Sequence, residues 1–300
     1  MDLPAPVTAP PSTAQAISLL GDTLWSVSMT IEQAQEQLAR LQRAREIAQD
    51  KPEDANAQLN LVRRTAQMGR LREAIGLSTK ALERHSFDPR LYRLRGELLL
   101  QTRRLDYAIR DLQAAGRLTI SDSTSVEYID VPAVGLVKVG LRFSILQSLG
   151  QAFFSAGRFR EAALSFEQAL AVVGNVDEAA EAAVWLSLTY QRQRRWQEAM
   201  AVASAWKPDA AVVLRDAEHH LLMAWQGAVS ADSLAASGVG YPSAEALHHL
   251  AAGVIQLARG APNEASALFR LVLRLGAWTD MAYLVAEAEL ARLRGADREP

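Results

Sequence analysis

The stretch LGQAFFSAGRFREAALSFEQAL, Leu149–Leu170, decides how the rest of the chain reads. Its residue sizes follow a pattern that two antiparallel helices would need. Gly150, Ala162 and Ala169 are small, which permits close approach, and Phe153 and Phe166 are bulky enough to fill the space beside them. Gly157 falls between the two helical runs and suits a left-handed residue ending the first of them. One such hairpin cannot bury its apolar side alone, so copies should recur.

They do recur. LVRRTAQMGRLREAIGLSTKAL places Leu61, Gly69, Ala74 and Ala81 on the same template. Tyr92, Gly96, Leu99, Ala108, Leu112 and Ala115 give the next copy, with Asp88–Pro89 between the two. WLSLTYQRQRRWQEAMAVASAW supplies Leu186, Tyr190 and Ala199 and is closed by Pro208, and GVIQLARGAPNEASALF supplies Gly253, Gly260, Ala265 and Phe269. A further segment, about 216–237, has helical content but lacks the Ala and Phe positions and reads as degenerate.

Five such copies in order resemble the tetratricopeptide repeat, a helix–turn–helix unit of about 34 residues. The sequence departs from the pattern at Arg95, where a leucine is usual, and at Ala203, where a large residue is usual. The resemblance implies an all-α, right-handed α-solenoid. The chain also resembles an uncharacterised group of bacterial tetratricopeptide proteins that open on a phrase like AISLLGDTL, Ala16–Leu24, and end on one like Tyr283 followed by AEAEL, Ala286–Leu290.

The expected organisation is a Pro-rich lead-in over 1–12, capping helices over 13–52, and repeats 1–2 over 53–118. A strand-like insert follows over 119–141, then repeats 3–6 over 142–275, and a capping helix with a tail over 276–300. Solenoids need such ends to cover an apolar face. The insert carries SVEYIDVPAVGLVKVG, Ser125–Gly140, in which SVEYIDV and GLVKV read as strands with Pro132–Gly135 as the turn. It falls between repeats 2 and 3. As a lid or a strand edge for an extended peptide it would act through Ile129, Val131, Val134 and Leu136; the alternative is a hairpin that patches apolar surface.

In the family resembled, the first helix of each hairpin lines a concave groove. That implies groove residues Asn56, Leu59 and Arg63, then Arg90, Arg93 and Gln101, then Gln147, Gln151 and Phe154, then Val184, Leu188, Gln191 and Arg192. The arginines and amides suit a protein or peptide partner with an acidic or C-terminal carboxylate segment, because guanidinium binds carboxylate through paired hydrogen bonds. The family's carboxylate clamp uses lysines and asparagines, and only Asn56 with arginine substitutes stands here. The alternative for Arg90 and Arg93 is local pairing with Asp88 and Glu97.

Composition narrows the function classes. The net charge of −2 argues against a general nucleic-acid binder, although residues 31–118 are net +5 and residues 119–300 net −5. The absence of cysteine excludes disulfides and thiolate chemistry. No apolar run reaches the length of a membrane span. The literal sequence reads as cytoplasmic, with an exported, trimmed protein as runner-up.

Catalytic signatures are missing: there is no GxSxG, P-loop or GxGxxG. His219–His220 and His248–His249 lie about one repeat apart, but adjacent helical residues diverge by about 100°, so each pair offers one ligand per face. Partly exposed helix positions fit them better than a metal site, and no cofactor is expected. Asp177–Glu178 and Glu287–Glu289 read as solvated carboxylates. The expected function is a non-catalytic scaffold binding a peptide or protein segment in the groove. The alternatives are a structural subunit of a larger or homo-oligomeric assembly, and a metal protein or enzyme using the His pairs.

Overall fold

The computed structural model describes residues 14–26, 29–121, 124–131, 135–207, 209–230, 233–234, 238, 241–275 and 278–296. The chain divides into two compact units, Met1–Leu118 and Thr119–Pro300. Both are built from helical hairpins packed in chain order, the α-solenoid architecture that the spacing implies.

The first unit holds β1 (Ala14–Ile17), β2 (Thr23–Trp25), α1 (Ile31–Asp50), α2 (Ala55–Gln67), α3 (Leu71–Arg84), α4 (Pro89–Gln101) and α5 (Leu105–Leu118). The region before α1, expected to be helical, is instead an antiparallel two-stranded ribbon. Its strands are too short to show a periodicity, and the turn carries the signal: Gly21 has φ +99° and the Ser18 hydroxyl accepts the amides of Leu20 and Asp22. The Ser26 hydroxyl then donates to the Gly69 carbonyl, fixing the ribbon to the α2–α3 turn.

Helix starts follow local chemistry. Thr30 and Gln33 form a reciprocal cap on α1, and the carboxylates of Asp54 and Asp88 accept the amides of Asn56 and Arg90 at the starts of α2 and α4. Pro89 begins α4, where its missing N–H costs nothing. Arg95 stands where packing would favour a leucine. Its guanidinium makes paired bonds of 2.6 and 2.8 Å to Asp111 on α5, so an ion pair replaces an apolar contact inside the hairpin.

The second unit holds β3 (Val126–Val131), β4 (Gly135–Gly140), α6 (Leu141–Ser155), α7 (Phe159–Leu170), α8 (Val176–Arg192), α9 (Trp196–Ser204), α10 (Asp216–Trp225), α11 (Pro242–Ala258), α12 (Pro262–Arg274) and α13 (Met281–Ala296). The insert is an antiparallel ladder running from Val126↔Gly140 to Val131↔Gly135. It rests on α6. Helix α11 starts at Pro242, and the Ser243 hydroxyl donates to Asp280.

The small–large pairing has a direct geometric basis. A Cβ on Gly150 would lie 2.5 Å from the Phe166 ring, one on Gly253 2.4 Å from the Phe269 ring, and one on Gly96 2.8 Å from Leu112. Ala162, Ala169 and Phe166 are completely buried. The hairpin turns also share a left-handed residue. It is Gly157 between α6 and α7 (φ +75°), but Arg103 (φ +63°) and Arg194 (φ +60°) in the turns α4–α5 and α8–α9.

Candidate functional site

The inner face of the second unit is filled by the chain itself. Every residue of Ile145–Ser155 on α6, Ala182–Gln191 on α8 and Leu284–Leu290 on α13 is buried. A helix lining an open groove keeps one stripe in solvent, so continuous burial means that neighbours cover every side. The neighbours are α13, which packs back onto α6, and α11, which packs onto α8 and α13.

The contact is polar as well as apolar. Arg292 donates to the Ser155 carbonyl at 2.9 Å, at the end of α6. Glu289, fully buried, takes Arg192 Nε at 3.1 Å and Arg292 NH2 at 3.0 Å. Both guanidinium groups lie over the Phe159 ring, at 4.6 and 5.6 Å, and Phe159 meets Phe154 edge-on at 5.1 Å.

Of the residues expected in the groove, Gln147, Gln151, Phe154, Val184, Leu188 and Gln191 are therefore interior, and Arg192 is an ion-pair partner. The solvated reading of the carboxylates is also corrected. Glu287 and Glu289 are completely buried and Glu178 nearly so. Glu178 accepts the amides of Gly140 and Gly174, pinning the end of β4 to α8, while Asp177 accepts three successive amides from Val213 to Arg215. Sequence spacing showed charge pairs; only the fold shows that Asp177 and Glu178 hold backbone amides and that Glu289 holds two arginines.

The first unit is different. Along α2, Asn56, Asn60, Arg63 and Gln67 recur at i, i+4, i+7 and i+11, and none is buried. Asn60 and Gln67 complete a stripe that residue-by-residue reasoning from the repeat left out; the helical period alone would have found them. Leu59, three residues after Asn56 and four before Arg63, borders this stripe but is buried. From α4, Arg90 extends to Asn56 Oδ1 at 2.7 Å while its other nitrogens hold Asp88 at 2.6 and 3.0 Å. Burial pushes the Asp88 carboxyl up, but hydrogen bonds and charge from Arg90 outweigh it and hold Asp88 below the usual carboxylate range. Arg93 is buried and pairs with Glu97, and Gln101 is half-buried at the end of α4. The local pairing expected as the alternative for Arg90 and Arg93 is thus present, alongside the reach to Asn56.

In the insert, Leu136 is 73% exposed and Tyr128 is exposed beside it on the hairpin. Ile129 and Val131 take their places in the ladder opposite Val137 and Gly135; Val134 lies outside the described residues.

The paired histidines sit on α10 and α11, which pack together. Among the described residues, no three of His, Asp and Glu converge to hold a metal ion. The Trp206 indole donates to His219 Nδ1 at 3.1 Å, and His248 is buried. Burial, the largest cause for each, pushes both imidazoles below the ordinary value of about 6.5, and the neighbouring His220 adds to it. Hydrogen bonding to the Ala217 backbone opposes this at His248. With the folded value depressed, the stabilisation is present above the unfolded value and is lost as pH falls through the folded one. Urea unfolding should therefore show lower stability at pH 5.5 than at pH 7.5, and His248→Leu should flatten that dependence; an unchanged slope would refute the assignment.

Tyr190 donates to Glu167, and burial together with that carboxylate pushes its phenol up to about 12. It remains protonated at neutral pH and serves as a donor. Among the described residues, no helix is long and apolar enough to cross a membrane.

A family model described as tetratricopeptide repeat matches residues 60–122 and 148–211. Among curated proteins, none matches this chain. Solved structures similar to it include a tetratricopeptide repeat protein from Parabacteroides merdae (15% identity, 85% of this chain and 96% of that one, TM-score 0.48). PilF of Pseudomonas aeruginosa is similar at 17% identity, covering 81% and 90%, TM-score 0.46. YrrB, described as a TPR protein with an unusual peptide-binding site, is similar at 14% identity, covering 77% and 91%, TM-score 0.43. At these scores the likeness carries no argument about ligand or partner.

Proposed function

We propose that this chain, whose residues 60–122 and 148–211 match the tetratricopeptide-repeat model of a class that acts in protein–protein interaction or scaffolding, is a non-catalytic scaffold binding an acidic peptide segment on the α2–α4 face of its first unit. The observation that carries the reading is the polar stripe Asn56, Asn60, Arg63 and Gln67, none of it buried, with Arg90 reaching it from α4. Amide and guanidinium groups in a row suit a peptide's backbone and carboxylates. The corresponding first helices of the second unit are covered by α11 and α13, so they offer no comparable stripe.

The test uses a fluorescein-labelled ten-residue Asp/Glu-rich peptide and the same peptide with lysine in place of the acids. The acidic peptide is expected to bind, more weakly as salt rises. Asn60→Ala with Arg63→Glu should lower its affinity at least tenfold, about 1.4 kcal/mol, while Arg160→Glu on α7 of the second unit leaves it unchanged. Equal binding of both peptides, or no response to the α2 substitutions, would overturn the reading.

A further inference from the structure

Away from the α2–α4 stripe, the first unit contains a cleft of about 440 Å³ between the β1 strand, the start of α3 and the α4–α5 turn. Its volume is in the range of small-molecule sites. Three arginines line it, Arg72, Arg103 and Arg104, and among the described residues no carboxylate does. The nearest acidic residue on α3, Glu73, is turned to Arg45 and Arg70 instead. Guanidinium groups stay charged at any pH a protein tolerates, so the cleft keeps a positive potential focused by its walls. Ile17 and Ile75 add an apolar surface.

The cationic groups are held in place. Gln15 is buried and its Oε1 accepts the Arg72 amide at 3.3 Å, while the Arg72 guanidinium reaches the Ala14 carbonyl at 3.4 Å. Arg103 is buried and donates to the Gln101 carbonyl. Arg103 also keeps a left-handed backbone, φ +63°, at the hairpin-turn position that Gly69, Gly157 and Gly260 fill in other turns and Arg194 fills between α8 and α9. A non-glycine residue there carries backbone strain that glycine would not.

We infer that this cleft binds a small amphiphilic oxyanion, a carboxylate or phosphate group carried on a short apolar body. The head group meets Arg72, Arg103 and Arg104, and the body lies along Ile17 and Ile75. The source of the oxyanion is left to the experiment, since guanidinium accepts either head group in paired hydrogen bonds.

Calorimetric titration of the full chain with hexanoate, hexyl phosphate, hexanol and hexylamine tests this. One or both anions should bind at least tenfold more tightly than hexanol or hexylamine, and the tighter of the two assigns the head group. Arg72→Glu with Arg104→Glu should lower that affinity at least tenfold. Arg103→Gly is the discriminating variant: it relieves the left-handed strain, so its melting temperature should be no lower than the parent's, yet its affinity for the anion should drop several-fold. Binding that does not distinguish the anions from hexanol, or that persists in the charge-reversed and glycine variants, overturns the inference.

Discussion

Glu289→Ala is expected to destabilise the second unit by about 3 kcal/mol, the lower end of what removing one partner of a buried ion pair costs. The lower end applies because Arg192 and Arg292 keep about a quarter of their side-chain surface in solvent, whereas the carboxylate between them has none. Removing it leaves two cations facing each other beside the Phe159 ring. Because Glu289 ties α13 to the end of α8, and Arg292 ties α13 to the end of α6, the loss should appear as faster amide exchange in α6, α8 and α13. Glu289→Gln keeps the shape and loses the charge, so it should fall between parent and alanine variant. A change below about 0.5 kcal/mol, the ordinary range of a surface substitution, would show that α13 is held by apolar packing alone. Exchange that accelerates only in the first unit would refute the placement of this residue.

Gly150→Ala should be destabilising by about 2 kcal/mol, an overpacking effect, although glycine to alanine inside a helix ordinarily stabilises by about 1 kcal/mol. The sign inverts because the new methyl would sit 2.5 Å from the ring of Phe166, itself completely buried and unable to retreat. Phe166→Ala removes the other half of the contact and should cost about 4 kcal/mol. Combining Gly150→Ala with Phe166→Leu should cost less than the two separate changes together, since each relieves the other. Gly76 is the control. It lies in the interior of α3 with nothing within 4 Å of its Cβ position, so Gly76→Ala should stabilise by about 1 kcal/mol. Urea unfolding of the five variants checks the set. Equal effects at Gly150 and Gly76 would mean that helix packing at Gly150 is looser than the structure shows.

These predictions separate the local from the long-range contribution to the fold. The pairing of Gly150 with Phe166 is legible in the sequence because both partners belong to one hairpin, sixteen positions apart. The same is true of the left-handed turn at Gly157 and of the strand pair in the insert, whose β-branched runs flank a proline and a glycine. The candidate site was legible only in part. Asn56 and Arg63 follow from the repeat register, whereas the cleft beside β1 depends on a ribbon whose strands are too short to announce themselves.

What the amino-acid sequence determined by itself was the hairpin: its period, its small and large positions, its turns, and the place of the insert. What only the tertiary structure decided was where the last helix goes. Helical periodicity records that a face is buried but not what buries it. The residues that close the second unit, Arg192 with Glu289 and Ser155 with Arg292, are 97 and 137 positions apart. No local pattern links residues so distant. The buried charges of α13 read as a solvated surface until α6 and α8 are packed against them, because a carboxylate and its guanidinium partners have the same sequence whether water or protein surrounds them.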